Sequence, residues 1–345
     1  MERLAEMAPP LEDRGSFLRE IAMGFEKGQI FLTALDLDIF SKLMEPKSAE
    51  TLAEELETNP ELTARFLDVL TALDVLVKKD DTYCTAPSLA PFLLDEGPYS
   101  AKYLKFSKED RDTWTNLGNF LKNGPSGNGE ESHHKHDYTP ESIDWIARGT
   151  MLGRLQATLK AVRELPEFAK AKKIIDLGGG HGLFGIGFAQ ENPELEVLIF
   201  DQPGITDVTE KYINKYLIQE RVRTMTGDYL KDDLGSGYDI AFEACSFGGN
   251  TEQARNFYRR VADSLNEGGL FITQTFTLDD DRTAPLSSLI WALKEKITGS
   301  GHMHLKTNSE LFETLAGAGL SGIKVIDMSE SCTMPMRLVV ARKGA

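Results

Sequence analysis

The sequence predicts an α/β fold in which a doubly wound, mainly parallel sheet follows a mainly helical first domain. Three observations carry this. Residues 172–201 read as strand, glycine loop, helix and strand: Ile174-Ile175-Asp176, then Gly178-Gly179-Gly180-His181-Gly182, an apolar helical pattern over 183–189, and Val197-Leu198-Ile199-Phe200 closed by Asp201. Strand-like and helical segments then alternate to the end of the chain, the signature of βαβ units. The last two strand-like runs, 322–328 and 336–341, lie about seven residues apart, too few for a helical crossover, so they form an antiparallel hairpin.

Bulk composition bounds the rest. The 345 residues suffice for two domains, and 41% hydrophobic content supplies their cores. No apolar run approaches a membrane span, and the opening MERLAEMAPPLEDRG lacks the apolar stretch of a signal peptide. Cys84, Cys245 and Cys332 are spaced for neither a disulfide framework nor a zinc site, so a reducing cytoplasm is expected. A net charge of −16 argues against a nucleic-acid surface, which needs clustered Lys and Arg.

Residues 15–44 read as two amphipathic helices broken near Gly28, with Phe25, Ile30, Phe31, Ala34, Leu35 and Ile39 on apolar faces. Helical runs at 48–56 and 59–73 follow, then a β-wing from Val75-Leu76-Val77 and Tyr83-Cys84-Thr85 around a turn at 79–81. This is a winged-helix pattern. Its second helix offers Arg65 against Glu61, Asp68 and Asp74, the wrong charge for a major-groove reader, so the expectation is a dimerisation and packing module. The domain boundaries expected are 1–100 for this module, 101–170 for linking helices and 171–345 for the sheet.

The glycine-rich loop at 122–132 precedes His133-His134-Lys135-His136, but no Cys or carboxylate pattern completes a metal site there, and none is expected. A long helical stretch at 142–168 carries Trp145, Arg148, Met151 and Arg154, of which Trp145 and Arg148 are candidates for substrate contact. Strands are expected at 173–177, 197–200, 222–226, 238–243 and 270–276. A helix at 309–318 opens on a Thr307-x-x-Glu310 capping box.

The glycine run by itself fits two templates. Gly180-x-Gly182-x-x-Gly185, with Asp201 roughly 20 residues on, matches a dinucleotide fingerprint. Asp176-x-Gly178-x-Gly180-x-Gly182 resembles the first motif of class I S-adenosylmethionine (SAM)-dependent methyltransferases. The closing hairpin, which reverses one strand of a seven-stranded sheet, favours the second.

Over nearly its whole length the chain resembles the SAM-dependent O-methyltransferases of the caffeate, hydroxyindole and polyketide type. The likeness is carried by Phe200-Asp201-Gln202-Pro203, by Gly227-Asp228-Tyr229-Leu230, and by Glu252-Gln253-Ala254 through Glu267-Gly268-Gly269. It implies SAM as cofactor, a homodimer and a small-molecule acceptor, with neither nucleic acid nor membrane as partner. It also implies a cofactor site of Asp176, Gly178, Gly180, Asp201, Gln202, Asp228, Tyr229 and Glu243. Asp176 would hold the methionine ammonium, Asp201 the ribose hydroxyls and Asp228 the adenine amine, with Tyr229 covering the ring. Charge-assisted hydrogen bonds of this kind are stronger than neutral ones.

Catalysis is where the chain departs from the family. Phe247 stands where the family has its histidine base, Thr275 and Leu305 fall near its two supporting glutamates, and Glu243 replaces a basic residue. A phenol with a pKa near 10 needs a base at neutral pH, whereas a thiolate, carboxylate, stabilised carbanion or metal-bound nucleophile does not. The expectation is therefore a methyltransferase for a small or mid-sized, partly apolar acceptor (oxygen, carbon, sulfur or nitrogen) working without that base. His302 and His304 are the candidates for a relocated one, and Phe247 and Trp291 for substrate contact. Two other readings stay open: a SAM-binding protein that no longer methylates, and a nicotinamide-dependent oxidoreductase.

Overall fold

The computed structural model describes residues 7, 15–94, 113–125, 138–298, 304–330, 332 and 335–344. Contacts divide the chain into two units, 1–112 and 113–345, so the helices from residue 113 onward group with the sheet.

In the first unit, α1 (Gly15–Ala22) buries nothing, while α2 (Gly24–Asp36) turns Ala34 and Leu35 inward. The break thus falls at Met23, and Gly28 lies within α2. A helical glycine costs only about 1 kcal/mol, which the apolar positions around it offset. After α3 (Ile39–Lys42) and β1 (Lys47–Ser48), α4 (Ala49–Leu56) starts on a Ser48 cap and α5 (Pro60–Ala72) on an Asn59 cap with Pro60 in its first turn. The wing is the antiparallel pair β2 (Leu76–Lys79) and β3 (Thr82–Thr85), followed by α6 (Ala90–Leu93). Leu35, Phe40, Leu52, Leu67, Leu70 and Tyr83 form the core. Asp68 of α5 accepts from Lys78 at 2.7 Å and from the Tyr83 hydroxyl at 2.8 Å, so the helix spends this carboxylate on the wing.

The second unit begins with α7 (Leu117–Asn123), α8 (Pro140–Thr150) and α9 (Arg154–Arg163). The stretch expected as one long helix is two, because Gly153 takes φ +106° between them. The Asp144 carboxylate, bound by Arg148 at 3.1 Å, accepts from Tyr212 at 2.7 Å and ties α8 to α11 (Ile205–Lys215).

Seven strands form the sheet: β4 (Lys173–Leu177), β5 (Glu196–Asp201), β6 (Val222–Thr226), β7 (Tyr238–Ala244), β8 (Leu265–Thr275), β11 (Leu320–Asp327) and β12 (Arg337–Lys343). Their order is β11-β12-β8-β7-β4-β5-β6, and β12 runs antiparallel to both neighbours, as the short connection requires. Helices α8, α9, α10 (Leu183–Glu191) and α11 cover one face. The other face is covered by α12 (Thr251–Ser264) and α14 (Asn308–Ala316), the latter opening on the Thr307–Glu310 capping box. A two-residue pair, β9 (Thr277–Leu278) with β10 (Lys306–Thr307), brackets α13 (Leu286–Thr298). Among the described residues no helix is long and apolar enough to cross a membrane, and no cluster of three His, Cys, Asp or Glu could hold a metal ion. The histidines at 133–136 lie outside the described residues.

Candidate functional site

In a parallel sheet the carboxyl ends of the strands point to the ligand side, and here β4, β5 and β7 end on acids or lead into tight loops. Gly178 follows β4 at φ +63°, and a Cβ there would lie 2.3 Å from that of Ser246, so only glycine fits under the loop after β7. Gly180, at φ +55°, would meet only Ile143 at 3.7 Å, so the space above it is open.

Asp201 closes β5, 8% exposed, and holds the loop in shape. One carboxylate oxygen accepts from the Gly180 amide at 2.7 Å and the other from the Gln202 amide at 2.7 Å. Burial pushes its carboxyl above the usual range, and these two amides oppose the shift. Gln202 itself turns its side chain to solvent.

Asp176 is 1% exposed, and its Oδ2 has no hydrogen-bond partner among the described residues. Burial first, then the negative charge of Asp201 and Glu243, push its carboxyl up to about 8, against the Gly185 backbone amide. A buried, unsatisfied carboxyl oxygen is costly unless something fills it. Arg154 is its counterpart in charge. Its Nε donates to the Gln274 Oε1 at 2.5 Å, its guanidinium lies 5.3 Å over the Phe184 ring, and its buried Nη2 also lacks a partner. Asp176 pairs with Phe242, Phe242 with Ile272, and Gln274 lies two residues on, so Asp176 and Gln274 face the same side of the sheet.

His181, absent from the sequence-based candidates, is a brace. Its Nδ1 accepts from the Leu183 amide at 3.1 Å, which places the ring proton on Nε2, 3.1 Å from the Thr150 hydroxyl oxygen on α8. Burial, then the Arg154 charge, pull its pKa down to about 3, so it is neutral. No spacing rule could have found it, because Thr150 lies 31 residues away.

Two of the expected site residues make close contacts within the protein. Glu243 spends its buried carboxylate on the protein: Oε1 accepts from the Ser246 amide at 2.5 Å, the Ser246 hydroxyl at 3.0 Å and the Phe247 amide at 2.9 Å, and Oε2 from Thr273 at 2.5 Å. It thereby supports the loop after β7. Phe247 is 9% exposed and stacks on Phe257 at 4.6 Å and 14°, within the core under α12.

The other candidates are placed as follows. Asp228 is a half-open carboxylate. Burial would raise it, but hydrogen bonds from Lys231 (2.8 Å) and the Leu230 amide (3.0 Å) outweigh this and hold it below its usual range. The Tyr229 ring is buried between Phe200 and Phe257, and its hydroxyl donates to the Ser246 carbonyl at 2.7 Å. Trp145 and Arg148 are partly exposed on α8, Arg148 in its ion pair with Asp144. His302 lies outside the described residues; His304 has φ +44°, and its carbonyl accepts from Lys306 at 3.4 Å.

Beyond β7 lies a separate apolar cluster: Phe276 and Met336 with Cys245, Trp291 and Leu305. Cys245 sits at φ +56° with its thiol donating to the Gln274 carbonyl at 3.2 Å. Burial pushes that thiol up to about 12, which leaves it no thiolate to act as a nucleophile. Trp291 lies 4.9 Å from Phe276. The strand ends thus carry two adjoining regions, one charged and glycine-lined, the other aromatic.

Two family models match the chain. A family model described as an O-methyltransferase domain matches residues 131–321, and one described as an O-methyltransferase dimerisation domain matches residues 19–95. An uncharacterized protein of Methanocaldococcus jannaschii is 32% identical over 340 residues, covering 93% of this chain and 89% of its own length. The N,N-dimethyltransferase OxyT of Streptomyces rimosus is 23% identical, covering 80% and 82%. The human N-acetylserotonin methyltransferase, solved in complex with SAM, superposes with a TM-score of 0.76 at 19% identity, covering 98% of this chain and all (100%) of that one.

Proposed function

The chain belongs to the SAM-dependent O-methyltransferase family, and we propose that it methylates its acceptor without the histidine base on which that family relies. It is a SAM-dependent methyltransferase for a small or mid-sized, partly apolar molecule. The observation that carries the reading of the site is the buried Oδ2 of Asp176, left without a partner beside the glycine loop. The amino-acid end of SAM carries an ammonium that would satisfy it.

The remaining groups suit the same ligand. Arg154 Nη2, unpartnered and cationic, would take the carboxylate of that amino-acid end. Asp201 keeps lone pairs beyond those given to Gly180 and Gln202, and these would accept from the ribose hydroxyls. The half-open Asp228 would accept from the adenine amine. When bound, SAM supplies a methyl group already activated on a sulfonium. The protein's part is then to hold the acceptor in line and keep water out, which by itself contributes a large share of such a rate.

The acceptor lies on the aromatic side, against Trp291, Phe276 and Met336. Neither the Streptomyces relative, named an N,N-dimethyltransferase, nor the human acetylserotonin enzyme fixes the acceptor atom here. Any proton acceptor must be relocated, and His302 and His304 are the histidines near enough in sequence to Leu305 to serve.

The first unit serves a homodimer in this reading. Phe17, Leu18, Ile21 and Phe25 are exposed along α1 and the start of α2, an apolar stripe that a second copy would cover. The decisive experiment for the function is calorimetry with S-adenosylhomocysteine and NAD, followed by transfer of labelled methyl from SAM into a metabolite extract. Tight NAD binding with none for S-adenosylhomocysteine would overturn the reading.

A further inference from the structure

Helix α13 buries two polar side chains, Ser288 and Glu295, along with Ile297, while three of its large apolar residues stay exposed. Leu286, Ile290 and Leu293 are 72%, 46% and 39% exposed, whereas Ser288 and Glu295 are 1% and 7% exposed. Ser288, Trp291 and Glu295 are spaced i, i+3 and i+7, so they share one helical face, and the exposed leucines and isoleucine share the opposite one. Trp291 shows where the inner face points: its ring packs on Phe276, in the cluster with Cys245 at the carboxyl end of β7. Glu295 lies within electrostatic reach of Lys306, whose ammonium donates to the Gly249 carbonyl at 3.1 Å, in the loop that follows β7. The polar face of α13 is therefore turned toward the acceptor side of the site.

A helix packed only for stability would turn its leucines inward. A buried hydroxyl without a partner costs about 1–3 kcal/mol, and Ser288 Oγ has none among the described residues. We propose that Ser288 is a specificity-determining residue for the acceptor: it takes a hydrogen-bonding substituent of a flat molecule whose ring lies against Trp291. This rests on the methyltransferase reading above and adds to it a requirement on the substrate. A purely apolar ring would leave Ser288 unsatisfied, and a ring bearing a hydroxyl or amine would satisfy it.

The test uses the full chain saturated with S-adenosylhomocysteine, with naphthalene and 2-naphthol as probes and affinities taken from ligand-observed NMR titration. Binding of S-adenosylhomocysteine is measured first by calorimetry, so its failure, which belongs to the parent reading, is separate from failure of this one. The expected result is that 2-naphthol binds roughly tenfold or more tightly than naphthalene, since a site built around a hydrogen bond rejects the analogue lacking it. Ser288→Ala should bring the two affinities to within about threefold, by weakening 2-naphthol and leaving naphthalene at least as tightly bound, while unchanged S-adenosylhomocysteine binding shows that the fold is intact. Trp291→Ala should weaken both probes. Equal binding of the two probes by the wild-type protein, an unchanged preference in Ser288→Ala, or no binding of either probe by the loaded protein would each overturn the proposal.

Discussion

The carboxylate of Asp201 accepts a hydrogen bond from the backbone amide of Gly180 at 2.7 Å, joining the end of β5 to the loop that follows β4. The acid thereby shapes the loop beside which the cofactor is proposed to bind. Asp201→Ala should weaken S-adenosylhomocysteine binding by roughly 1.5–3 kcal/mol, the range for hydrogen bonds to a charged group. Titration calorimetry measures it, and an affinity within twofold of wild type would remove Asp201 from the site.

Asp176 makes the ligand-free protein sensitive to pH. Its folded pKa of about 8 lies above the ordinary carboxyl value, so the folded state holds a proton that the unfolded chain has lost. Stability from this group is full below the ordinary carboxyl range and declines as pH rises toward 8. Asp176→Asn should therefore gain on wild type in thermal melts between pH 5 and about 8.5 while binding S-adenosylhomocysteine more weakly. Parallel melting curves for the two proteins across that range would refute the assignment.

His181 acts in the opposite direction. Its folded pKa of about 3 lies below the usual histidine value, so its contribution is full above that value and is lost as pH falls toward 3. His181→Phe keeps an aromatic ring but loses the bonds to Leu183 and Thr150, and should cost at least about 1–3 kcal/mol. The deficit should be largest near neutrality and shrink in acid, which denaturant melts at pH 7 and pH 4.5 resolve.

Phe247→His should not raise turnover on the native substrate. The ring it replaces stacks on Phe257 inside the core, so an imidazole there is buried among aromatic side chains rather than aimed at an acceptor. A lower melting temperature with no gain in single-turnover rate is the expected outcome; a faster methyl transfer would contradict it.

A relocated base would show itself in the double variant His302→Ala/His304→Ala. Loss of roughly 100-fold in single-turnover rate, with S-adenosylhomocysteine affinity unchanged, assigns proton transfer to that pair. Full activity assigns the rate to positioning of an acceptor that ionises by itself.

Light scattering addresses the assembly. The protein should run as a dimer at micromolar concentration, and Leu18→Asp with Ile21→Asp should shift it to monomer by placing charge on the exposed stripe of α1. A wild-type monomer would refute the homodimer.

Much of this molecule was legible in its residues because the relevant signals are local. Glycines at 178, 180 and 182, the acid within β4 and the one closing β5, the short connection before β12 and the Thr307–Glu310 capping box each act over a few positions, and each formed as its chemistry requires. Helix breaks were less legible: the first helices part at Met23 and not at Gly28, and Gly153 divides what reads as one helix, because packing decides which glycine is tolerated. The state of each side chain belonged to the tertiary structure alone. The sequence shows only the residue types of Glu243 near the end of β7 and Phe247 in the loop after it, and packing pairs the first with Ser246 and Thr273 and the second with Phe257. Packing also leaves one buried atom unsatisfied on each of Asp176, Arg154 and Ser288. Burial and partnership are properties of the assembled sheet and its covering helices. Residue type and spacing set which groups reach the strand ends, and only the packing sets which of them are left to meet a ligand.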